Sequence, residues 1–514
     1  MVLRSHGGGQ ALWDGLAIHR ARDDLPGESH GQFLMMRRGD QGPWVSLTAH
    51  PAPDPTARYR CRHLADRTVF EAEWPDLLAR TTVWVSAEDD CELRELRLFG
   101  RGSQPLQLQI ASLAEVVLAP QRADEAHPAF SNLFVRASWD ADNQALFLRR
   151  QPRLIDEQPV LAAHFIAQGS EPAPPVEPVA DRRQVIGRHG RPGQWLGEGR
   201  ARWLDAPDAG RTPADMPASD DDAGADDPAG RLPGRPLDTG LDPVASLRTT
   251  LLVPAGGERA LTFGTAVARQ LDVLETVVDR YRQPGHAQRS SHMAHTMAGI
   301  RLRELQFDAD TWLALLQLNT LVTALATREL PLPPRQGRDE PRCDRRLLWR
   351  HGLSGDRPIV LVTIDAERGL MLVQTLKKVL RLWNAAGLGV DLVVVNAEPP
   401  SYLSPVQHQL QMLRERLQHQ TADAPLSARG AIHLLSSSQL GADERHTLQV
   451  LARVRLVADG RALAQQLEHE LEEHRIARLD RLSAHALPVT PAWPSATPRT
   501  PQEAPPAAPD YAFR

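Results

Sequence analysis

The chain is nearly free of lysine and poor in cysteine and aromatic residues. Of its 59 basic residues only Lys377 and Lys378 are lysine, so a phosphate-binding loop that needs a lysine after its second glycine is excluded. Three widely spaced cysteines, Cys61, Cys91 and Cys343, argue against a disulfide scaffold and favour a reducing compartment. Aromatic residues account for only 5% of the 514 residues.

Long apolar runs and a positive charge balance are also missing. No apolar run reaches the roughly 18 residues of a membrane span, and the first residues lack the apolar core of a signal peptide. The net charge of −5 has the wrong sign for a protein that neutralises phosphates. We therefore expect a cytoplasmic protein with no nucleic-acid partner and no direct membrane span. A hydrophobic fraction of 42% and the chain length indicate a globular protein of about three domains.

Residues 1–265 have the pattern of a β-sandwich. Short stretches rich in β-branched and aromatic residues are separated by turn residues at close intervals. Strands are predicted at residues 32–37, 68–73, 81–85, 92–98, 106–111, 133–138, 145–149 and 246–253. Residues 205–239 are acidic, rich in proline and nearly devoid of large apolar side chains, so we predict a disordered insertion there.

The rest of the chain changes period. Residues 266–330 are predicted as a helical linker because Val267, Leu271 and Leu274 begin an apolar stripe at helical spacing. A second helix near Trp312 is apolar around much of its girth, so we expect it to be largely buried. A proline-rich linker over residues 331–346 follows. Strand and helix patterns then alternate over residues 347–480, which predicts a small α/β unit with a parallel sheet. Residues 481–514, rich in proline and alanine, are predicted to be disordered.

Standard catalytic and cofactor motifs are absent. The stretch Gly352-Leu353-Ser354-Gly355 is one residue too short for a nucleophile elbow and is interpreted as a turn. His292 and His295 would share a helix face, but no third ligand lies near them in sequence, so no metal site is predicted. We expect no cofactor and assign no catalytic residue.

Two weaker signals concern ligand binding. Asp365 and Asn396 follow or end the two best strands of the α/β unit, where ligands bind in parallel sheets, although short polar residues also simply end strands. The β-rich part is rich in tryptophan, whose rings can stack on sugars but also fill cores. These residues are Trp13, Trp44, Trp74, Trp84, Trp139, Trp195 and Trp203.

Three segments of the chain resemble one enzyme family. Residues 114–135 read AEVVLAPQRADEAHPAFSNLFV, residues 241–248 read LDPVASLR, and residues 349–356 read WRHGLSGD just before a predicted strand. These segments resemble cyclic β-1,2-glucan synthases of glycoside hydrolase family 94, formerly glycosyltransferase family 36. In order and spacing the resemblance covers roughly residues 7–470.

The resemblance implies a mainly β supersandwich of the galactose-mutarotase type, then linker helices, then a small α/β unit. It also implies a β-glucan or related glycan as ligand. The family's catalytic aspartate lies in an (α/α)6 barrel for which this chain has no matching segment. Glu115, His127 and Asn132 of the first segment are the candidates for glycan contact, although a structural role is the favoured interpretation of each.

Three functions follow as hypotheses. The first is a non-catalytic, carbohydrate-binding accessory portion of a cyclic β-1,2-glucan synthase-like protein, with a separately encoded catalytic barrel or synthase subunit as a further partner. In a larger synthase it would lie at the cytoplasmic face of the inner membrane. The second is an active glycosyltransferase or phosphorylase on β-glucans. The third is a degenerate structural or interaction protein without sugar affinity.

Overall fold

The computed structural model describes residues 1–21, 30–39, 42–152, 157–167, 175–186, 232–323, 342–386, 388–399, 404–420 and 430–472. The predicted tail at 481–514, most of the predicted insertion, Trp195 and Trp203 lie outside these residues.

The strands, in chain order, are β1 (Val2–Leu3), β2 (Gly9–Gln10), β3 (Leu12–Trp13), β4 (Leu16–His19), β5 (Gln32–Arg38), β6 (Val45–Ser46), β7 (Arg58–His63), β8 (Arg67–Glu73), β9 (Leu77–Val85), β10 (Cys91–Gly100), β11 (Leu106–Pro120), β12 (Val135–Asp140), β13 (Ala145–Arg150), β14 (Val160–Ala167), β15 (Glu177–Asp181), β16 (Arg235–Leu237), β17 (Pro243–Val253), β18 (Glu258–Ala268), β19 (Ile359–Ile364), β20 (Asp391–Asn396), β21 (Ile432–Ser436) and β22 (Ala452–Ala458). The α-helices are α1 (Gln121–Ala126), α2 (Pro128–Asn132), α3 (Leu271–Tyr281), α4 (His286–Leu305), α5 (Ala309–Thr323), α6 (Leu370–Ala385), α7 (Pro405–Gln420) and α8 (Ala442–Leu451). Residues 463–472 are also helical.

Two antiparallel sheets form the N-terminal part, as the alternating pattern predicts. Within the described residues, one sheet has nine strands in the order β16-β12-β13-β14-β18-β10-β9-β8-β7. The other has seven, with the path β15-β17-β11-β4-β3 and with β5 paired to β11 and β6. Leu96 and Leu98 of one sheet share a fully buried core with Leu108 and Ile110 of the other. The predicted β-supersandwich is therefore confirmed.

Two local sequence predictions are wrong in this region. Residues 235–237 of the predicted disordered insertion form β16, because their backbone pairs with Ala137–Trp139 on β12. Val267, assigned to the helical stripe, lies in β18 and pairs with Ala162 of β14. Backbone pairing with a neighbouring strand decides both positions, and it cannot be read from local composition.

A chain of hydrogen bonds crosses the interior between the two sheets. Thr265 of β18 donates its hydroxyl to Gln32 Oε1 at 3.2 Å, so its oxygen is left to accept from His164 Nδ1 at 3.0 Å. His164 Nε2 then accepts from the Ser112 hydroxyl at 2.7 Å, and Ser112 accepts the Leu247 N–H at 2.9 Å. This series of hydrogen bonds fixes one neutral tautomer of His164. Burial lowers the pKa of His164 to about 4.

The helices after β18 divide between the two neighbouring units. Leu274, Val278 and Tyr281 of α3 pack against the outer side of the sandwich near Phe165. Helix α5 instead contributes Leu315 and other apolar side chains to the core of the α/β unit. Its opposite side is open to solvent: Leu313 is 57% exposed, so the expectation that α5 is buried around its girth holds for one side only.

The C-terminal unit is a small parallel sheet covered by helices. Its strand order is β21-β20-β19-β22, and all pairings are parallel. The continuous apolar runs of β19 and β20 are buried on both faces, which is typical of a parallel sheet between helices. Trp383 of α6 donates its indole N–H to Asn319 Oδ1 of α5 at 2.7 Å, which fastens α5 to this unit.

Candidate functional site

A cluster of buried charged side chains lies where β4 and β11 meet the short helices α1 and α2. The guanidinium of Arg20 donates to both carboxylate oxygens of Asp124, at 3.1 and 3.0 Å, and to Glu115 Oε2 at 2.6 Å. It also donates to Asn132 Oδ1 at 3.3 Å. All four side chains are at most 8% exposed. Arg20 therefore joins a strand of the sandwich to both helices through one planar, charged group.

A second arginine closes the cluster from the opposite side. Arg182 places Nε at 3.2 Å from Glu115 Oε2 and at 3.6 Å from Asp242 Oδ2. Asp242 in turn accepts from Asn132 Nδ2 at 2.8 Å. Two arginines thus face three carboxylates, and segments far apart in sequence meet at one point.

The charges within the cluster keep Arg20 and Glu115 ionised. Burial alone would raise the pKa of Glu115, but the charges of Arg20 and Arg182 outweigh it and hold that pKa below its ordinary value. Burial likewise opposes the charge of Arg20, but its bonds to Asp124 and Glu115 prevail and raise the pKa of the guanidinium. Burial raises the pKa of Asp242, and Arg182 only partly offsets this. An ion cluster of this kind orients α1 and α2 and is costly to break.

The three predicted glycan-contact residues are placed differently. Glu115 and Asn132 belong to the buried cluster, where protein partners occupy their side chains. His127 lies between α1 and α2 and is exposed to solvent. Of the three, His127 is the one whose side chain is open to solvent. Contact with a glycan stays a prediction for all three.

The two strand-end residues of the α/β unit lie close together but have different surroundings. Asn396 pairs with Ile364, the residue before Asp365, so the two follow neighbouring strands. Asn396 is buried and donates to Gln407 Oε1 at 2.9 Å, whereas Asp365 is exposed beside Arg368 at 3.3 Å.

The strand order places the switch point of this sheet elsewhere. Successive strands are added on one side of β19 up to β21, and the next strand, β22, is added on its other side. Ligands in open α/β sheets bind where the order of strands reverses in this way. There the backbone is closely packed: a Cβ added to Gly369 would lie 2.0 Å from the carbonyl oxygen of Ala458. Asp365 borders this point and Asn396 lies on its far side.

Most of the described tryptophans of the sandwich are core residues and offer no free face for a sugar. Trp44, Trp74, Trp84 and Trp139 are at most 8% exposed. Trp13 is partly exposed, and the Arg269 guanidinium carbon lies 5.1 Å from its ring centroid. Core packing, the alternative considered from the sequence, accounts for the four buried rings.

Metal ligation finds no support in the described part of the chain. No group of three or more His, Cys, Asp or Glu side chains is arranged there to hold a metal ion. His295 Nδ1 lies 3.4 Å from Asp66 Oδ2 and both line an open groove with His292, but the set ends there.

Sequence reasoning missed the members of the buried cluster other than Glu115 and Asn132. Asp124 and Asp242 lie inside two of the three segments that carry the family resemblance, so these segments were the signal available for them. Arg20 and Arg182 carry no local signal, since 57 of the 59 basic residues are arginine.

Comparison with known proteins shows the relatives of the chain. The family model of the glycosyl hydrolase 94 supersandwich domain matches residues 1–195. Cyclic β-(1,2)-glucan synthase NdvB of Rhizobium meliloti (strain 1021) is 27% identical over 423 residues, which are 81% of this chain and 14% of that protein. The chain thus spans about one seventh of the length of this curated relative.

Two solved structures match part of the chain at low similarity. A kojibiose phosphorylase from the human microbiome covers 58% of this chain and 32% of its own, with 6% identity and a TM-score of 0.31. A bacterial glucoamylase complexed with acarbose covers 60% and 37%, with 6% identity and a TM-score of 0.32. In the described residues, no helix combines the length and apolar character needed to cross a membrane.

Proposed function

We propose that the chain is a carbohydrate-binding, non-catalytic accessory portion of a synthase-like protein, because residues 1–195 match the glycosyl hydrolase 94 supersandwich model and the chain is similar to a cyclic β-(1,2)-glucan synthase. The family match is the observation that carries this proposal. The relationship to the synthase extends over 423 residues, well beyond the sandwich, which supports a shared role for the sandwich and the α/β unit.

The proposal includes partners and location. The ligand is a β-glucan or related glycan, and the second partner is a separately encoded catalytic barrel or synthase subunit. The chain works in the cytoplasm, at the inner face of the membrane when such a synthase holds it. The buried ion cluster supports a positioning role, because it holds α1 and α2 rigidly at the edge of the sandwich.

The non-catalytic part of the proposal rests on the carboxylates. Glycoside hydrolysis typically uses two carboxyl groups that flank the scissile bond. Two surface grooves in the described part of the chain are each lined by a single carboxylate, Asp66 in one and Asp356 in the other. The carboxylates Glu115, Asp124 and Asp242, which do lie close together, are bound to arginines and largely buried.

Calorimetric titration of the whole chain tests the proposal. Linear and cyclic β-1,2-glucans should give saturable heat, and an α-glucan of equal length serves as the comparison. Absence of heat at millimolar glucan, with circular dichroism showing the folded β protein, refutes carbohydrate binding. Release of glucose 1-phosphate from β-1,2-glucan and phosphate refutes the non-catalytic assignment and establishes a phosphorylase.

A further inference from the structure

A shallow groove on the α/β unit presents an exposed tryptophan beside polar side chains. The groove has a volume of about 360 Å³ and is lined by Arg345, Trp349, Gly352, Leu353, Ser354 and Asp356. Trp349 is 56% exposed, whereas the tryptophans of the sandwich core are at most 8% exposed. A large ring left in water at this position lacks the packing role that explains the others.

The backbone under Trp349 is held in place by buried anchors. The neighbouring Leu348 is fully buried, so the 3₁₀ helix Arg345–His351 is fixed on one side. On the other side the carboxylate of Glu444, which is 6% exposed, pairs with Arg350 and lies 3.2 Å from His351 Nε2. It also accepts the Gly441 N–H at 2.8 Å. The exposure of Trp349 is therefore a property of a well-fixed segment.

Polar groups converge on the same groove. Asp356 Oδ1 accepts from Arg345 at 3.3 Å and from Arg122 of α1 at 3.3 Å, so both bonds use one oxygen of the carboxylate. The hydroxyl oxygen of Ser354 accepts the Asp356 N–H at 3.2 Å, so its proton is available to a ligand. One aromatic face flanked by a carboxylate, a hydroxyl and a guanidinium matches the alternating C–H and O–H surfaces of a pyranose ring.

We propose that this groove is a glycan subsite that takes a glucosyl unit of a neutral β-glucan. The sugar C–H face packs on the indole of Trp349, and its hydroxyls bond to Asp356, Ser354 and Arg345. This inference rests on the proposed carbohydrate-binding function and names its site. Because Arg122 belongs to the sandwich, a glycan held on Asp356 also contacts the bond that links the sandwich to the α/β unit.

The alternative occupants fit less well. The carboxylate of Asp356 faces into the groove and offsets the charge of the arginines that hold it, which disfavours an anionic ligand. Stacking of a nucleobase on Trp349 would bring phosphates to a chain whose net charge is −5.

Substitutions at the groove test the proposal in the intact chain. Trp349→Ala should weaken binding of a linear β-1,2-gluco-oligosaccharide by about tenfold or more, because the stacked ring is a central contact. Trp349→Phe keeps an aromatic face and should stay within a few fold of the wild type. Asp356→Asn should weaken binding as well. Leu313→Ala, which removes a side chain of matching exposure from α5, is the control and should bind as the wild type does.

The outcomes separate the site from the function. In one outcome the wild type binds glycan, and Trp349→Ala and Asp356→Asn, each folded by circular dichroism, bind it with unchanged affinity. That result refutes the groove as the glycan subsite and leaves the carbohydrate-binding function standing. A wild type that binds no glycan overturns the proposed function and the subsite together.

Discussion

The buried histidines of the sandwich should make its stability sensitive to acid. Burial lowers the pKa of His19 and His164 from 6.5 to about 4 each, so the unfolded chain binds these protons more tightly than the folded chain does. Their contribution is complete above pH 6.5 and is lost as the pH falls from 6.5 towards 4. Between pH 7.5 and 5.0 each histidine should cost about 2 kcal/mol of unfolding free energy, at about 1.4 kcal/mol for each pH unit below 6.5.

His164→Gln isolates one of these contributions. Glutamine can donate and accept as the neutral imidazole does between Ser112 and Thr265, but it does not titrate. The measurement is urea unfolding followed by circular dichroism in the β-sheet band. The unfolding free energy of the wild type minus that of the variant should fall by about 2 kcal/mol from pH 7.5 to pH 5.0. The same gap at both pH values would refute a neutral buried His164.

Three further changes test other parts of the structure. Arg20→Met should destabilise the fold by about 3–5 kcal/mol because it leaves buried carboxylates without their cation. The control Arg97→Met, which removes exposed ion pairs, should cost at most about 1 kcal/mol in urea unfolding. Equal costs would contradict the stabilising role of the buried cluster. Gly369→Ala should cost about 1–3 kcal/mol because its Cβ meets the Ala458 carbonyl. Gly299→Ala in an open stretch of α4 should instead stabilise the fold by about 0.5–1 kcal/mol. Equal shifts in melting temperature would refute the close approach of Gly369 to Ala458. His127→Ala should weaken glycan binding by about two- to tenfold in calorimetry, and unchanged affinity would remove His127 from the predicted contacts.

Periodicity in the sequence was sufficient for the elements that carry a clear apolar stripe or run. Helix α6 and strand β19 lie within the α/β unit predicted over residues 347–480, and each buries one continuous apolar surface there. Strand β11 is longer than predicted: it continues past a β-bulge near Val116 as far as Pro120. The bulge depends on pairing with β4, which local propensity does not encode.

The candidate sites were harder to predict because their partners are remote in the chain. Glu115 was identified through the segment that resembles the family. Arg20 and Arg182, which form its ion pairs, come from elsewhere in the sandwich. The motif that includes Trp349 was recognised as a resemblance and not as a site. The segment that exposes it is held by Glu444, nearly a hundred residues later, which contacts the next two residues, Arg350 and His351.

Saturation-transfer NMR with a β-1,2-gluco-oligosaccharide tests the central claim of glycan binding most directly. Irradiation of the protein should transfer saturation to the sugar C–H protons, and Trp349→Ala should reduce that transfer strongly while Leu313→Ala leaves it unchanged. An oligosaccharide that receives no saturation from the folded wild-type chain at millimolar concentration would contradict the account.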